Sequence, residues 1–321
     1  MVRAARWSAV IVFSSPNEGR RLFVVIGAGL VGSAVASWLR LSSGRAAVFP
    51  TPWREGTAAL ERHFLTILTS ANVTQMQDID LLWSAGSGGF VLSDEDADRE
   101  AEAFEACLAA FSAIRSQVGT TSRVRFHFVS SAGGLFESQR LVDGCSLPEP
   151  LRPYGRLKLR QEQLAEVAVG ASDLHVYRLS SVYGRIRPGR RSGLVSTLVF
   201  NTLRQRVSTI RGRLDTLRDY VWADDIGRYI YERMMNQDIG GDVVILASGR
   251  PASIHDVRSL VHRVSGKTSY IHCASSDNAE HITFSPSVLP SGFEASSMET
   301  NVRRLIADTL QSDIAFVGES R

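Results

Sequence analysis

Lysine is nearly missing from this chain of 321 residues. Of its 36 basic residues only Lys158 and Lys267 are lysines, which leaves 34 arginines (36 − 2). Cysteine is scarce as well. Cys107, Cys145 and Cys273 are odd in number, far apart and outside any CxxC spacing, which excludes a disulfide framework and a thiolate zinc site. A reducing cytoplasm is the setting this implies. The seven histidines form no HExxH array and no pair at His-x-x-x-His spacing, so no metal is expected. A large charge of one sign is absent too: 36 bases against 33 acids give a net charge of +3, which is not the polycation that nucleic-acid binding uses. The cluster Arg185, Arg187, Arg190 and Arg191 lacks interleaved aromatics and is read as the path of an anionic substrate or a solvated loop.

Long apolar runs are also wanting. After Arg3 and Arg6 the run WSAVIVF is short, and Pro16, Glu18, Arg20 and Arg21 follow with no small-residue cleavage site, so a signal peptide is not expected. Leu22 to Leu39 runs 18 residues without a charge, at the lower limit for a membrane span, yet three glycines and two serines interrupt it. No repeat or low-complexity tract is present. What remains is an ordinary globular composition, 44% hydrophobic and 21% charged, enough for one large domain or two modest ones.

The segment RLFVVIGAGLVGSAVASWLR begins with a β-branched strand pattern, breaks at Gly27, Gly29 and Gly32, and continues as a helix of small and apolar residues up to Arg40. Glycines at GxGxxG spacing let the turn close, let a pyrophosphate approach the backbone, and let the helix amides face the phosphates. A merely close-packed glycine turn is the plain alternative. Strand-like runs recur at AAVF around 47–49, IDLLW at 79–83, VRFHFV at 124–129, LHVYRL at 174–179 and DVVILA at 242–247, with helical patterns at 94–118, 154–168 and 223–235 between them. That alternation predicts an α/β fold, a Rossmann-type doubly wound parallel sheet that binds ligands at the carboxyl ends of its strands. Residues 58–70 are ambiguous between helix and strand. Residues 185–219 break the alternation, and a capped helix is expected within GRPASIHDVRSL. The expected organisation is an unassigned extension over 1–20, a dinucleotide-binding domain over 21–180, and a smaller C-terminal substrate lobe over 181–321 from which 220–248 returns to the core.

Tyr154 and Lys158 lie one turn apart on the helix predicted from 154. A phenol titrates near 10 in water and is a poor base at neutral pH unless a cation stabilises its anion, which Lys158 would supply. A compact ammonium on a flexible stem can reach both a phenol and a ribose hydroxyl, where a planar guanidinium fits poorly. The alternative is a surface cation on a solvated helix. Upstream, FHFVSSAGGLF places Ser130 and Ser131 just after a strand, Ser131 standing 23 residues before Tyr154 (154 − 131). A serine at that edge could hydrogen-bond the reacting oxygen of an alcohol or ketone while the tyrosine moves its proton.

With these motifs in order, and with YRLSSVYG at 177–184 and RDYVWADD at 218–225, the chain resembles the extended short-chain dehydrogenase/reductase family, the NAD(P)-dependent sugar epimerases and dehydratases. The resemblance covers nearly everything after residue 20. It implies that Ser131, Tyr154 and Lys158 are catalytic, and that the cofactor is NAD or NADP, cradled by Gly27, Gly29, Leu30, Val31, Gly32 and Ala85 together with Tyr154 and Lys158. It further implies that Ser131, Ser181 and Arg218 meet the substrate, Arg218 at the diphosphate of a nucleotide sugar, and that a homodimer forms. For Arg218 a structural salt bridge to Asp224 or Asp225 is an equal alternative.

The chain departs from the family at four points. Val25 and Ile26 replace the usual Thr-Gly before the turn. Roughly 20 residues past the turn, where NAD users carry an acid for the ribose, the chain reads FPTPWREG with Pro50 in that place. Arg54 is available there for a 2′-phosphate, which points to NADP. No aspartate occurs from 52 to 77, and no asparagine lies in the helix 94–118 where the family's fourth catalytic-network residue belongs. Ser181 stands for the asparagine common before VYG. Ala132 and Gly133 follow Ser131 where sugar 4,6-dehydratases carry Asp-Glu, so dehydration is disfavoured. Hydride chemistry at a secondary alcohol or ketone remains, by an epimerase or a ketoreductase, and a catalytically impaired cofactor-binding sensor is the non-enzyme alternative.

Overall fold

The strand-like runs at 79–83, 124–129 and 174–179 enter one sheet and are largely buried on both of its faces. The computed structural model describes residues 9–15, 20–43, 46–53, 55–86, 89, 92–119, 121–186, 192–274 and 281–318. Strands β1 (Ala9–Ser15) and β2 (Arg21–Ile26) lead into α1 (Leu30–Ser43), β3 (Ala46–Pro50) and α2 (Thr57–Ser70). Next come β4 (Asp78–Trp83), α3 (Asp94–Gln117), β5 (Arg123–Ser131), the single turn α4 (Ala132–Leu135), α5 (Pro153–Val169) and β6 (Leu174–Leu179). The chain continues through β7 (Ser181–Tyr183), α6 (Leu194–Leu203), β8 (Val207–Arg211), β9 (Arg218–Trp222), α7 (Ala223–Met235) and β10 (Asp242–Leu246). It closes with β11 (Pro251–Ala252), α8 (Ile254–Ser265), β12 (Tyr270–Ala274) and α9 (Met298–Gly318).

Seven strands form the central sheet in the order β10-β6-β5-β4-β2-β1-β3. Strands β2, β4 and β5 pair in parallel, as the alternation of strands and helices predicted. The run at 94–118 forms α3, that at 154–168 forms α5 and that at 223–235 forms α7. The ambiguous stretch 58–70 is helical, because Leu60, Phe64, Ile67 and Leu68 recur at helical spacing and all four are buried. The apolar run that looked too short for a signal peptide is a strand: Val10, Ile11, Val12 and Phe13 are all buried, and β1 lies antiparallel between β2 and β3. Among the described residues no helix is long and apolar enough to cross a membrane.

The chain packs as two compact units. The first takes the chain up to Leu135, Pro148–Arg178 and Ile226–Ile245, and the second takes Phe136–Leu147, Leu179–Asp225 and the chain from Leu246. Trp83, Phe104, Phe111, Phe126 and Phe128 fill the core of the first unit on the side of α2 and α3. In the second unit, Tyr183, Trp222, Val199, Val257, Val261, Val302 and Leu305 draw α6, α8 and α9 onto β7 and β9. Helix α8 starts, as its sequence predicted, at a capping box in which Ser253 and Asp256 satisfy each other's backbone amides.

The first unit also buries charge. Asp80 of β4 is fully buried and holds Arg125 at 2.8 Å and His127 at 2.9 Å, both on β5. Arg125 donates to the carbonyls of Met234 and Asn236, and Arg21 of β2 donates to that of Met234 at 2.6 Å, so the carbonyls that α7 leaves unpaired at its end are satisfied by buried guanidiniums. The ring of His127 stacks on His175 at 4.6 Å and bonds Tyr177 through Nδ1. Burial pulls the His127 pKa down to about 4, against the opposing pull of Asp80. Its folded pKa lies below its unfolded value, so the unfolded chain binds the proton first as pH falls, and stability declines from about pH 6.5 toward pH 4. The melting temperature should therefore fall between pH 7 and pH 5, and fall less steeply in His127→Gln. Equal slopes in the two proteins would remove His127 from the account.

Candidate active site

Glycine at 27 and 32 is dictated by close approach. Gly27 has φ of 96°, and a Cβ there would lie 2.4 Å from the amide nitrogen of Ala85, while a Cβ on Gly32 would lie 2.0 Å from the carbonyl oxygen of Gly27. Ser84 locks the turn by donating from Oγ to the carbonyl of Gly27 at 2.7 Å. Gly29 differs, since a Cβ there would have nothing within 4 Å among the described residues. Open space therefore sits over Gly29 at the start of α1, beside the half-buried Leu30 and Val31, which suits a backbone cradle for a pyrophosphate. Ala85 sits against Gly27, so its backbone shapes the turn.

The adjacent serines of β5 part company. Ser130 turns inward and donates to Oε1 of Glu162 at 2.5 Å, and Glu162 is gripped by Arg178 through Nε at 3.1 Å and Nη2 at 2.7 Å. Ser131, the last residue of β5, has Oγ accepting from the amide of Gly134 at 3.1 Å, which leaves its own O–H to donate elsewhere. Alternation along a strand is the reason one of two neighbouring hydroxyls belongs to the core and the other to the edge.

Helix α5 opens with Pro153, whose missing N–H costs nothing in a first helical turn. Tyr154 follows, half-buried, with its ring against Gly134: a Cβ on Gly134 would lie 3.1 Å from Cδ1 of Tyr154. Lys158, one turn on, is 4% exposed and its ammonium sits 5.9 Å from the centre of the Tyr154 ring. It donates to Oε1 of Gln161 at 3.0 Å and stands 4.0 Å from Oε1 of Glu100 on α3. Burial lowers its pKa, and Glu100 and Glu162 push it back up. The plain alternative, an exposed cation on a solvated face, does not describe this lysine.

Glu100, Gln161 and Ser84 were not singled out in the sequence. Glu100 belongs to the helix that lacks the family's asparagine, and its carboxylate lies over Gly86, where a Cβ would meet Oε1 at 2.6 Å. In the second unit Ser181 opens β7 and Arg218 opens β9, both half-buried. Asp224 pairs with Arg185 at 3.4 Å, and Asp225 accepts from the amide and hydroxyl of Ser296. Arg54, Arg187, Arg190 and Arg191 lie outside the described residues.

A family model described as the NAD dependent epimerase/dehydratase family matches residues 23–247. A protein of Bacillus subtilis (strain 168), described as an uncharacterized UDP-glucose epimerase, YtcB, is 28% identical over 150 residues, which are 46% of this chain and 46% of that protein. The chain thus matches about half the length of that relative. Among solved structures, MoeE5 in complex with UDP-glucuronic acid and NAD superposes with a TM-score of 0.67 at 24% identity, over 89% of this chain and 97% of that one. The UDP-glucose 4-epimerase of Thermus thermophilus, in complex with NAD, gives 0.67 at 17% identity over 88% and 96%. These likenesses show a Rossmann-type fold with a seven-stranded, mostly parallel sheet.

The seat of Tyr154 is tested by its neighbour. A Cβ on Gly155 would lie 2.2 Å from the Gly134 carbonyl oxygen and 2.7 Å from Cβ of Pro150. Gly155→Ala should cost about 1–3 kcal/mol of stability, the range for overpacking. Gly144→Ala, whose added Cβ has nothing within 4 Å, should cost much less. Urea unfolding compares them, and equal losses would sink the close-approach account.

Proposed function

Because the chain belongs to the NAD dependent epimerase/dehydratase family, we propose that it is an NAD(P)-dependent epimerase acting on a secondary alcohol of a nucleotide-activated sugar. The observation that supports this reading is the presence, within one unit, of Tyr154 over buried Lys158, of Ser131 at the end of β5, and of a glycine turn with open space over Gly29. The relatives named above, an uncharacterized UDP-glucose epimerase and proteins complexed with NAD and with UDP-glucuronic acid, support the same choice of ligands. NADP is the expected form, on the ground that Arg54 is available to meet a 2′-phosphate.

A bound nicotinamide would supply a reversible hydride acceptor for the carbon that carries the alcohol. Tyr154, as phenolate, takes the hydroxyl proton and gives it back on reduction. Ser131 donates its O–H to the same oxygen, stabilising the charge that develops there. Lys158 stabilises the phenolate, and only a protonated lysine can do so; Glu100 and Glu162 keep it protonated against the cost of burial. Glu100 thereby serves as a positioning residue on the helix without asparagine. Ser181 and Arg218 are assigned to the substrate, Arg218 because a guanidinium fork matches a diphosphate.

The first experiment follows UDP-glucose and UDP-glucuronic acid, each with NAD and with NADP, by chromatography for the C4 epimer. An epimerase forms product without net reduction of cofactor. A ketoreductase consumes reduced cofactor one for one with a ketone substrate, and a protein that binds dinucleotide but turns over neither would be a sensor. Tyr154→Phe should lower turnover by about two to four powers of ten, the usual weight of acid–base catalysis. Its dinucleotide affinity should change little. Gly29→Ala should fold normally and lose dinucleotide binding, read by the thermal shift that NAD or NADP produces; an unchanged shift would move the cofactor away from this turn. In Glu100→Gln the lysine is less well held in its charged form, so the alkaline limb of kcat/KM should move to lower pH, and Glu100→Asp should move it part of the way back. An unmoved limb would exclude Glu100 from the chemistry.

A further inference from the structure

Where a glycine turn binds a dinucleotide, the ribose nearer the adenine is met by the end of the strand next to the glycine strand, reached about 20 residues further on. This chain breaks that adjacency. The strand that follows α1 is β3, but β3 does not touch β2; β1 runs antiparallel between them, with Val10 opposite Ile26 and Ala9 opposite Pro50. The pairing extends to the ligand edge of the sheet, where the amide of Gly27 donates to the carbonyl of Ala9 at 3.2 Å. Neighbouring strands lie about 4.8 Å apart, so the start of β1 is about one spacing from the glycine strand and the end of β3 about two. Ala46, Ala47, Val48 and Pro50 are exposed along the outer strand, where a charge would be solvated.

Resting on the dinucleotide reading above, we propose that the start of β1 at Ala9, and not the end of β3, is the part of the sheet that meets the adenosine ribose and decides between a 2′-hydroxyl and a 2′-phosphate. Ala9 carries no charge to repel a phosphate and no carboxylate to accept from the ribose hydroxyls, so Ala9 itself does not oppose a 2′-phosphate. The missing acid at position 50 then has no bearing on cofactor choice.

The test measures dissociation constants of NAD and NADP by titration calorimetry for the wild type, Ala9→Asp, Ala9→Arg and Pro50→Asp, each confirmed as folded by circular dichroism. Ala9→Asp should weaken NADP relative to NAD by about tenfold, and Ala9→Arg should shift the ratio the other way, while Pro50→Asp leaves it within about twofold. Opposite shifts from the two Ala9 variants separate charge from mere bulk. A ratio that responds to Pro50→Asp and not to Ala9, or two Ala9 variants that weaken both cofactors alike, would overturn the proposal. If the wild type binds neither dinucleotide, the proposed function falls first and this inference with it.

Discussion

A positive charge held where water does not reach governs the arrangement around Tyr154. Lys158 is 4% exposed, and an isolated buried ion would shed its proton sooner than persist. Its neighbours answer that constraint. Gln161 accepts from it, Glu100 approaches from α3, and Glu162 adds its field from the same helix while being held in place by Ser130 and Arg178. Replacing the lysine by arginine would put a larger, planar cation into a space shaped for a compact one. This is the physical reason that one of the chain's two lysines survives amid so much arginine.

The same economy of buried charge anchors α7 on the sheet. Asp80 neutralises Arg125 and orients His127, and the freed donors of Arg125 and Arg21 close the end of the helix. A helix end inside a protein must find partners for its last carbonyls, and here arginines from β2 and β5 provide them. Helix α7 also lies against α1, where Gly227 leaves no room for a Cβ beside Ala34. The helix that carries the glycine turn at its start is thus packed against one fixed by ions.

Most of this was legible as periodicity. Strands apolar on both faces, helices with apolar residues at helical spacing, and Tyr154 with Lys158 one turn apart all follow from local rules, as does the capping box at Ser253. The distinction between Ser130 and Ser131 was not legible, because it depends on which face of β5 each residue occupies. Glu100 could not be picked from the acidic run DEDADREAEAFEA, whose members differ only in what α3 packs against. The place of β1 was hidden for a deeper reason. Strand neighbours are set by pairing across the sheet, and nothing in AVIVFSS says that it will lie between two strands that a helix connects.

Strand β1 also bears on the order of assembly. Ribosomes deliver β1 before β2, and only residues 16–20 separate them, so the antiparallel pair can close with little loss of chain entropy. The pairing of β1 with β3 must wait for α1. Fast local closure before slow crossover is the sequence of events that limits misregistered parallel pairing, which is ordinarily the slow and aggregation-exposed step in doubly wound sheets. A strand that pairs first with β2 and later receives β3 thus sets the register of those two neighbours.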